Sequence, residues 1–187
     1  MGVNITYFVH GTTKDNAEHK ATGWNHGILS ELGIEQCKEL ANQINIYKFD
    51  VVFTSDLHRA VDSASYTFGD KVKIISDSRL RECNYGDLNG AASSKVIYKD
   101  HIEEKFPNGE SLLDVENRIK SFCNYLLDNY DNKEVAIVAH KAPQLALDVL
   151  LKNQTWMEAI NNDWRNTKQW QPGWDYRITK KLLMEEK

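Results

Sequence analysis

Four short runs of apolar, mostly β-branched or aromatic residues punctuate the chain: "NITYFV" at 4–9, "VVFT" at 51–54, "VKII" at 72–75 and "VAIVA" at 135–139. Near-continuous apolar runs of this length are what strands covered on both faces look like. Between them the period changes. Ile34, Cys37, Leu40, Ala41 and Ile44 recur mostly at threes, and Leu112, Val115, Ile119, Phe122 and Leu126 at alternating threes and fours, so each set lines one face of a helix. Ser30 and Ser111 stand where N-caps are useful, and Pro143 suits the first turn of a further helix.

Strands alternating with helices imply right-handed βαβ units. The expected fold class is α/β: a three-layer α/β/α sandwich with a mainly parallel, doubly wound sheet. With 187 residues and neither an internal repeat nor a low-complexity linker, the chain reads as a single domain over 1–187. Its end is the exception in composition, because Trp156, Trp164, Trp170, Trp174 and Tyr176 crowd around Pro172 and Gly173. Such aromatic clusters mostly cover a core or a subunit interface, which here would make a homodimer, and sometimes line a ligand cleft.

Composition narrows the partners. At 41% hydrophobic and 27% charged residues, with no apolar run long enough to span a bilayer, neither a transmembrane helix nor a membrane partner is expected. A net charge of −4 gives no support for a nucleic-acid surface, so an anionic ligand would need a local positive pocket. Cys37, Cys83 and Cys123 are an odd number at wide spacing, and the first residues lack signal-peptide character; a cytoplasmic location is the reading that fits. The opening "MGVNIT" matches a myristoylation pattern, but the same residues begin a strand that the sheet needs.

In open α/β sheets, ligands bind beyond the carboxyl ends of the strands. His10-Gly11-Thr12-Thr13 follows the first strand, Ser55-Asp56 the second with Arg59 one helical turn later, and His140 follows "VAIVA". Two histidines and an arginine therefore converge on one sheet edge. A lone histidine there is ordinarily structural. A metal site would draw on His19 and His26 as well, but no HxxxH, HExxH or CxxC spacing supplies its ligands, so no metal and no cofactor are expected. The third reading is phosphoryl chemistry, with a histidine attacking phosphorus while cations and N–H groups hold the oxygens.

The motifs around these residues resemble those of the histidine phosphatase superfamily, the phosphoglycerate mutase-like family. "VHGTTKDN" is similar to its Arg-His-Gly-x-[Ser/Thr] motif and following Asn, with His10, Gly11, Thr13 and Asn16 in register. "GWNHGILSELGIEQ" from Gly23 resembles the segment leading into its first helix, and "TSDLHRAVDSA" from Thr54 its Ser-x-x-x-Arg-Ala motif, placing Arg59. "LRECNYGDLNG" from Leu80 resembles the acid-bearing loop, placing Glu82; "FPNGES" from Phe106 and "VAHKAPQLAL" from Val138 complete the set, the latter placing His140.

The resemblance implies a metal-independent, two-step reaction on a small phosphorylated metabolite. His10 would accept the phosphoryl group, Glu82 would protonate the leaving oxygen and then activate water, and Arg59 and His140 would neutralise the phosphoryl oxygens. Gly11, Thr13, Asn16, Arg81 and Lys141 complete the expected substrate contacts. Each has a plainer alternative: Glu82 as a solvated carboxylate among Arg79, Arg81 and Asp87, Arg59 as a partner of Asp62, Asn16 as the end of a turn. Hydrolysis is expected ahead of mutase activity, since mutases of the family are generally longer. Specificity is expected from "AASSKVIYKDHIEEKF" at 91–106 and from the tryptophan-rich end, both capping the pocket.

Two residues depart from the pattern. Val9 stands where the family has arginine, and Lys141 follows His140 where glycine is usual. Losing one pre-organised donor typically costs about a hundred- to a thousandfold in rate. Either Lys141, Lys14 or Arg81 supplies a partly compensating cation, or the fold retains phosphate binding without turnover, as a sensor or interaction module.

Overall fold

The computed structural model describes residues 1–182. In chain order its elements are β1 (Val3–Val9), α1 (Lys14–Ala17), α2 (Glu31–Gln43), β2 (Val51–Thr54), α3 (His58–Phe68), β3 (Ile74–Ser76), α4 (Leu112–Asn129), β4 (Glu134–Ala139), α5 (Lys141–Lys152), α6 (Trp156–Asn161), α7 (Trp164–Thr167) and β5 (Trp174–Ile178). Short 3₁₀ turns occupy much of the stretch between β3 and α4. The strands form one sheet in the order β3-β2-β4-β1-β5, parallel except for β5, which runs antiparallel to β1.

The alternation of side chains along β1 divides the core. Val3, Ile5 and Tyr7 pack with α4 and α5, while Phe8 joins Phe49, Ala64 and Phe68 on the opposite face, beneath α2 and α3. Helices therefore cover both faces, giving the α/β/α sandwich. The two expected caps are made: Ser30 Oγ accepts from the Gly33 N–H at 3.1 Å, and Ser111 forms a capping box with Asp114. Close packing at the start of α2 depends on Gly33, where a Cβ would lie 2.0 Å from the Thr12 carbonyl oxygen.

Two expectations change. β3 begins at Ile74 rather than Val72, because pairing with β2 starts at Val52–Ile74 while Val72 packs its side chain into the core before the strand. The tryptophan-rich end holds a strand as well as an aromatic cluster: Trp174, Tyr176 and Ile178 alternate inward along β5. Trp156 instead packs from α6 and donates its indole N–H to Glu116 Oε2 at 2.8 Å. Among the described residues no helix is long and apolar enough to cross a membrane.

The register sets the site. Val9 pairs with Ala139 and Thr54 with Val138, so His10 and His140 leave adjacent strands at the same level, and Ser55 emerges one position behind them.

Candidate active site

The His10 ring contacts the backbone of its neighbour, with Nδ1 2.7 Å from the Gly11 carbonyl oxygen. A carbonyl only accepts, so Nδ1 carries the proton and Nε2 retains its lone pair. Burial pushes the His10 pKa down to about 3, helped by the charges of Arg59 and Arg165 and opposed by the Gly11 carbonyl. The ring is thus neutral at ordinary pH, as a nitrogen nucleophile must be.

His140 lies beside it, with ring centroids 5.1 Å apart, and is fully buried. Its Nε2 is 2.6 Å from Ser55 Oγ, while Nδ1 is buried with no hydrogen-bond partner among the described residues. If the serine hydroxyl donates to Nε2, Nδ1 is an N–H waiting for an acceptor. Burial, then the charges of Arg59 and of His10, hold the His140 pKa well below its usual value. Its backbone is clamped by Tyr7: the hydroxyl donates to the His140 carbonyl at 2.6 Å and accepts from its N–H at 2.9 Å.

Arg59 rises from the first turn of α3 and is 2% exposed. Its Nη2 donates to the Gly23 carbonyl at 2.7 Å and Nη1 to those of Asn25 and His26, so the "GWNH" loop is wrapped around the guanidinium. Gly23 is required there: its φ is +55°, and a Cβ would collide with Asn89. Asp62 is not the partner of Arg59.

Glu82 is buried, contrary to the solvated alternative. Its Oε1 accepts from the N–H groups of Cys83 and Ala142, both at 2.9 Å, and Oε2 from that of Lys141 at 3.2 Å. The start of α5 thus holds the carboxylate. The loop behind it is pinned by Arg118, which donates to the carbonyls of Arg79, Arg81 and Glu82 and pairs with Glu110, and by the Trp24 indole, which donates to the Glu82 carbonyl at 2.7 Å.

A cavity of about 660 Å³ is shared by His10, Arg59, Glu82 and His140. Val9, Asn16 and Lys141 also line it, as do Ser93, Ser94 and Val96 to Lys99, so the middle of the 91–106 segment borders the pocket while its two ends do not. From the tryptophan-rich end only Trp164 and its neighbours reach it; Trp174 and Tyr176 lie in the sheet and Trp170 is exposed.

Several expected contacts are corrected. Arg81 does not line this cavity: its fork is bidentate on Asp56, at 2.6 and 2.5 Å, and its guanidinium stacks on Trp24. Thr13 is fully buried as the N-cap of α1, and Gly11 serves by size, since a Cβ would meet the Gly33 carbonyl at 2.5 Å. Asn16 Oδ1 accepts from the Thr13 N–H at 3.0 Å, which completes the capping box at the start of α1 rather than ending a turn, and the exposed residue also lines the cavity. Lys141 Nζ is 3.2 Å from Asp163 Oδ2, and Lys14 does not line the cavity. His19 and His26 are exposed, and no group of three or more His, Cys, Asp or Glu among the described residues is placed to hold a metal ion. Sequence reasoning missed Arg165, which lines the cavity from α7; nothing in its local pattern marks it.

Comparison with known proteins decides the family, since the histidine phosphatase superfamily (branch 1) model matches residues 7–177. The chain belongs to that superfamily. Among curated relatives, the 2,3-bisphosphoglycerate-dependent phosphoglycerate mutase of Cytophaga hutchinsonii is 30% identical over 146 residues, covering 70% of this chain and 68% of the mutase. Phosphoserine phosphatase 1 of Hydrogenobacter thermophilus is 29% identical over 156 residues, covering 78% and 74%. Among solved structures, a mycobacterial glucosyl-3-phosphoglycerate phosphatase in complex with VO3 superimposes with a TM-score of 0.70 at 27% identity, covering 84% of this chain and 86% of that one. The histidine phosphatase superfamily thus includes both phosphatases and mutases among the relatives of this chain.

Proposed function

We propose that the protein is a phosphomonoester hydrolase working through a phosphohistidine at His10. One observation carries the reading: a neutral His10, its Nδ1 proton pinned by the Gly11 carbonyl, borders the same cavity as Arg59, His140 and Glu82. In the first step Nε2 attacks phosphorus, the N–P bond forms, and the P–O bond to the leaving alcohol breaks. Glu82 gives that oxygen its proton, through Oε2, which accepts only one N–H bond, at 3.2 Å. In the second step the Glu82 carboxylate takes a proton from water, whose oxygen attacks phosphorus and returns His10 to its starting form with release of inorganic phosphate.

Arg59, the His140 Nδ1–H and the Asn16 amide would hold the equatorial oxygens, which is most of what phosphoryl transfer asks of a protein. Lys20, Lys99, Lys141, Arg59 and Arg165 all line the cavity, where Glu82 is the one lining carboxylate among the described residues. That balance supports a small substrate bearing a second anionic group beside the phosphoryl.

The test is phosphate release from a panel of phosphomonoesters in the presence of chelator, comparing the protein with His10→Ala. Release abolished by the substitution is expected. Transfer of the phosphoryl to a second hydroxyl without net release would make the protein a mutase, and phosphate binding without either would leave a binding module.

A further inference from the structure

Val9 removes a guanidinium from the corner of the pocket where the superfamily motif carries one, and its side chain lines the cavity there. Of the cations expected to compensate, Arg81 is committed to Asp56 and Lys14 lies outside the cavity. Lys141 Nζ rests against Asp163 and over the Tyr98 ring, 4.7 Å from its centroid. Of the other cations on the cavity, Lys20 is paired with Glu18, Lys99 is a lysine without a fork and Arg59 is the motif's own second arginine, so the remaining guanidinium comes from far along the chain. Arg165, in the short α7, borders the same cavity as Val9, His10 and His140.

Arg165 is built in rather than dangling. Its Nη1 donates to Asp163 Oδ1 at 2.8 Å and its Nη2 to Gln144 Oε1 at 3.1 Å, and both partners are buried. The guanidinium also lies 4.5 Å from the Trp164 ring centroid. Asp163 is itself the side-chain cap of α7, and Gln144 lies one helical turn beyond His140 on α5, so the fork is tied to the element that presents His140. Two of its five N–H donors are used in this way, which leaves others for a ligand in the cavity. Its charge reaches both histidines and depresses the pKa of each.

We propose that Arg165 supplies the phosphoryl-binding guanidinium that Val9 lacks, with Asp163 and Gln144 as its positioning partners. The two positions are alternatives for one role: a planar fork beside His10, delivered here from the C-terminal side of the fold instead of from the end of β1. The proposal rests on the phosphohistidine reading for its catalytic consequence but not for its binding consequence, and the two can be tested apart.

The experiment measures inorganic phosphate binding by calorimetry, alongside phosphate release, for four proteins: unchanged, Arg165→Ala, Val9→Arg and the double variant. Losing one charge-assisted donor is expected to weaken phosphate binding by about ten- to a hundredfold. Val9→Arg should recover most of that loss in the Arg165→Ala background and give a distinctly smaller gain in the unchanged protein, where the corner is already filled. Rescue of this kind would not follow if Arg165 merely stabilised the end of the fold.

Since alanine leaves the buried Asp163 short of a partner, Asp163→Asn/Arg165→Ala and Arg165→Lys serve as folded controls. The lysine variant should show an intermediate loss because it keeps charge without the fork. Phosphate affinity within about threefold of the unchanged protein in every folded variant lacking Arg165 would overturn the proposal, as would an equal gain from Val9→Arg in both backgrounds. Arg165-dependent phosphate binding in a protein that releases no phosphate would uphold the proposal and refute the hydrolase reading instead.

Discussion

Replacing Tyr7 by phenylalanine removes a single oxygen, yet that oxygen completes the hydrogen bonding of the residue that carries one of the two site histidines. β1 and β4 stop pairing at Val9–Ala139, so the His140 N–H has left the sheet and would be unsatisfied without help. The Tyr7 hydroxyl accepts from its N–H at 2.9 Å and donates to its carbonyl at 2.6 Å; the side chains of both residues are no more than 1% exposed. In Tyr7→Phe no water can replace the lost acceptor, and a buried N–H left unpaired costs about 1–3 kcal/mol. The carbonyl still accepts from the Gln144 N–H, at 3.4 Å, so its loss adds only about 1 kcal/mol. A total of about 2–4 kcal/mol is a large share of an ordinary domain stability of about 5–15 kcal/mol. Urea unfolding reads it as a lower midpoint at unchanged slope. Phosphate release should fall as well, because His140 Nδ1 is aimed by this clamp. Burial keeps the Tyr7 phenol protonated far above its usual range, with the Glu82 charge acting in the same direction, so the clamp should not titrate. A loss below about 0.5 kcal/mol with undiminished turnover would refute the view that Tyr7 holds His140 in place.

Further outcomes follow from the same contacts. His10 has a folded pKa of about 3 against an ordinary 6.5, so within that window the unfolded chain binds a proton that the folded one refuses. Its contribution is complete above that window and is lost as pH falls through it, by about 1.4 kcal/mol per pH unit at most; His10→Asn should therefore lose about 1–2 kcal/mol less than the unchanged protein between pH 7 and pH 5 in urea titrations, and equal losses would contradict the assignment of a half-buried neutral ring. In Gly33→Ala the new methyl would sit 2.0 Å from the Thr12 carbonyl oxygen, forcing α2 off the loop that carries His10. A loss of about 2–4 kcal/mol with reduced phosphate release is expected, and a neutral result by thermal unfolding would mean that the loop gives way.

The parts of this fold that were legible in the sequence are those whose side chains answer to one environment. β1, β2 and β4 are buried on both faces and read as unbroken apolar runs, and α2 and α4 announce themselves by period and by Ser30 and Ser111. β5 was not legible because its alternation of Trp174, Tyr176 and Ile178 with polar residues is short and lies in a stretch already dense in aromatics. β3 was displaced because Val72 is apolar for packing, not for pairing. At the site, the residues that follow strand ends were visible from the sheet rule and from the motifs. What escaped were arrangements that exist only in three dimensions: the Tyr7 hydroxyl on His140, Arg118 behind Glu82, and Arg165 on the cavity that Val9 lines. Arg81 illustrates the converse, since its position in the acid-bearing loop suggested a pocket cation and its fork is spent on Asp56.

Covalent chemistry at His10 separates a phosphohistidine enzyme from every other reading of this pocket. Mixing the protein with an activated aryl phosphomonoester, quenching in alkali and mapping the modified peptide would show it, and Glu82→Gln should accumulate the species, because an activated leaving group needs little acid help while hydrolysis still needs the base. One phosphoryl group on His10, forming and decaying at rates consistent with turnover, is the expected result. Phosphate release with His10 unmodified at every quench time, or a phosphoryl group trapped on any other residue, would contradict the central claim.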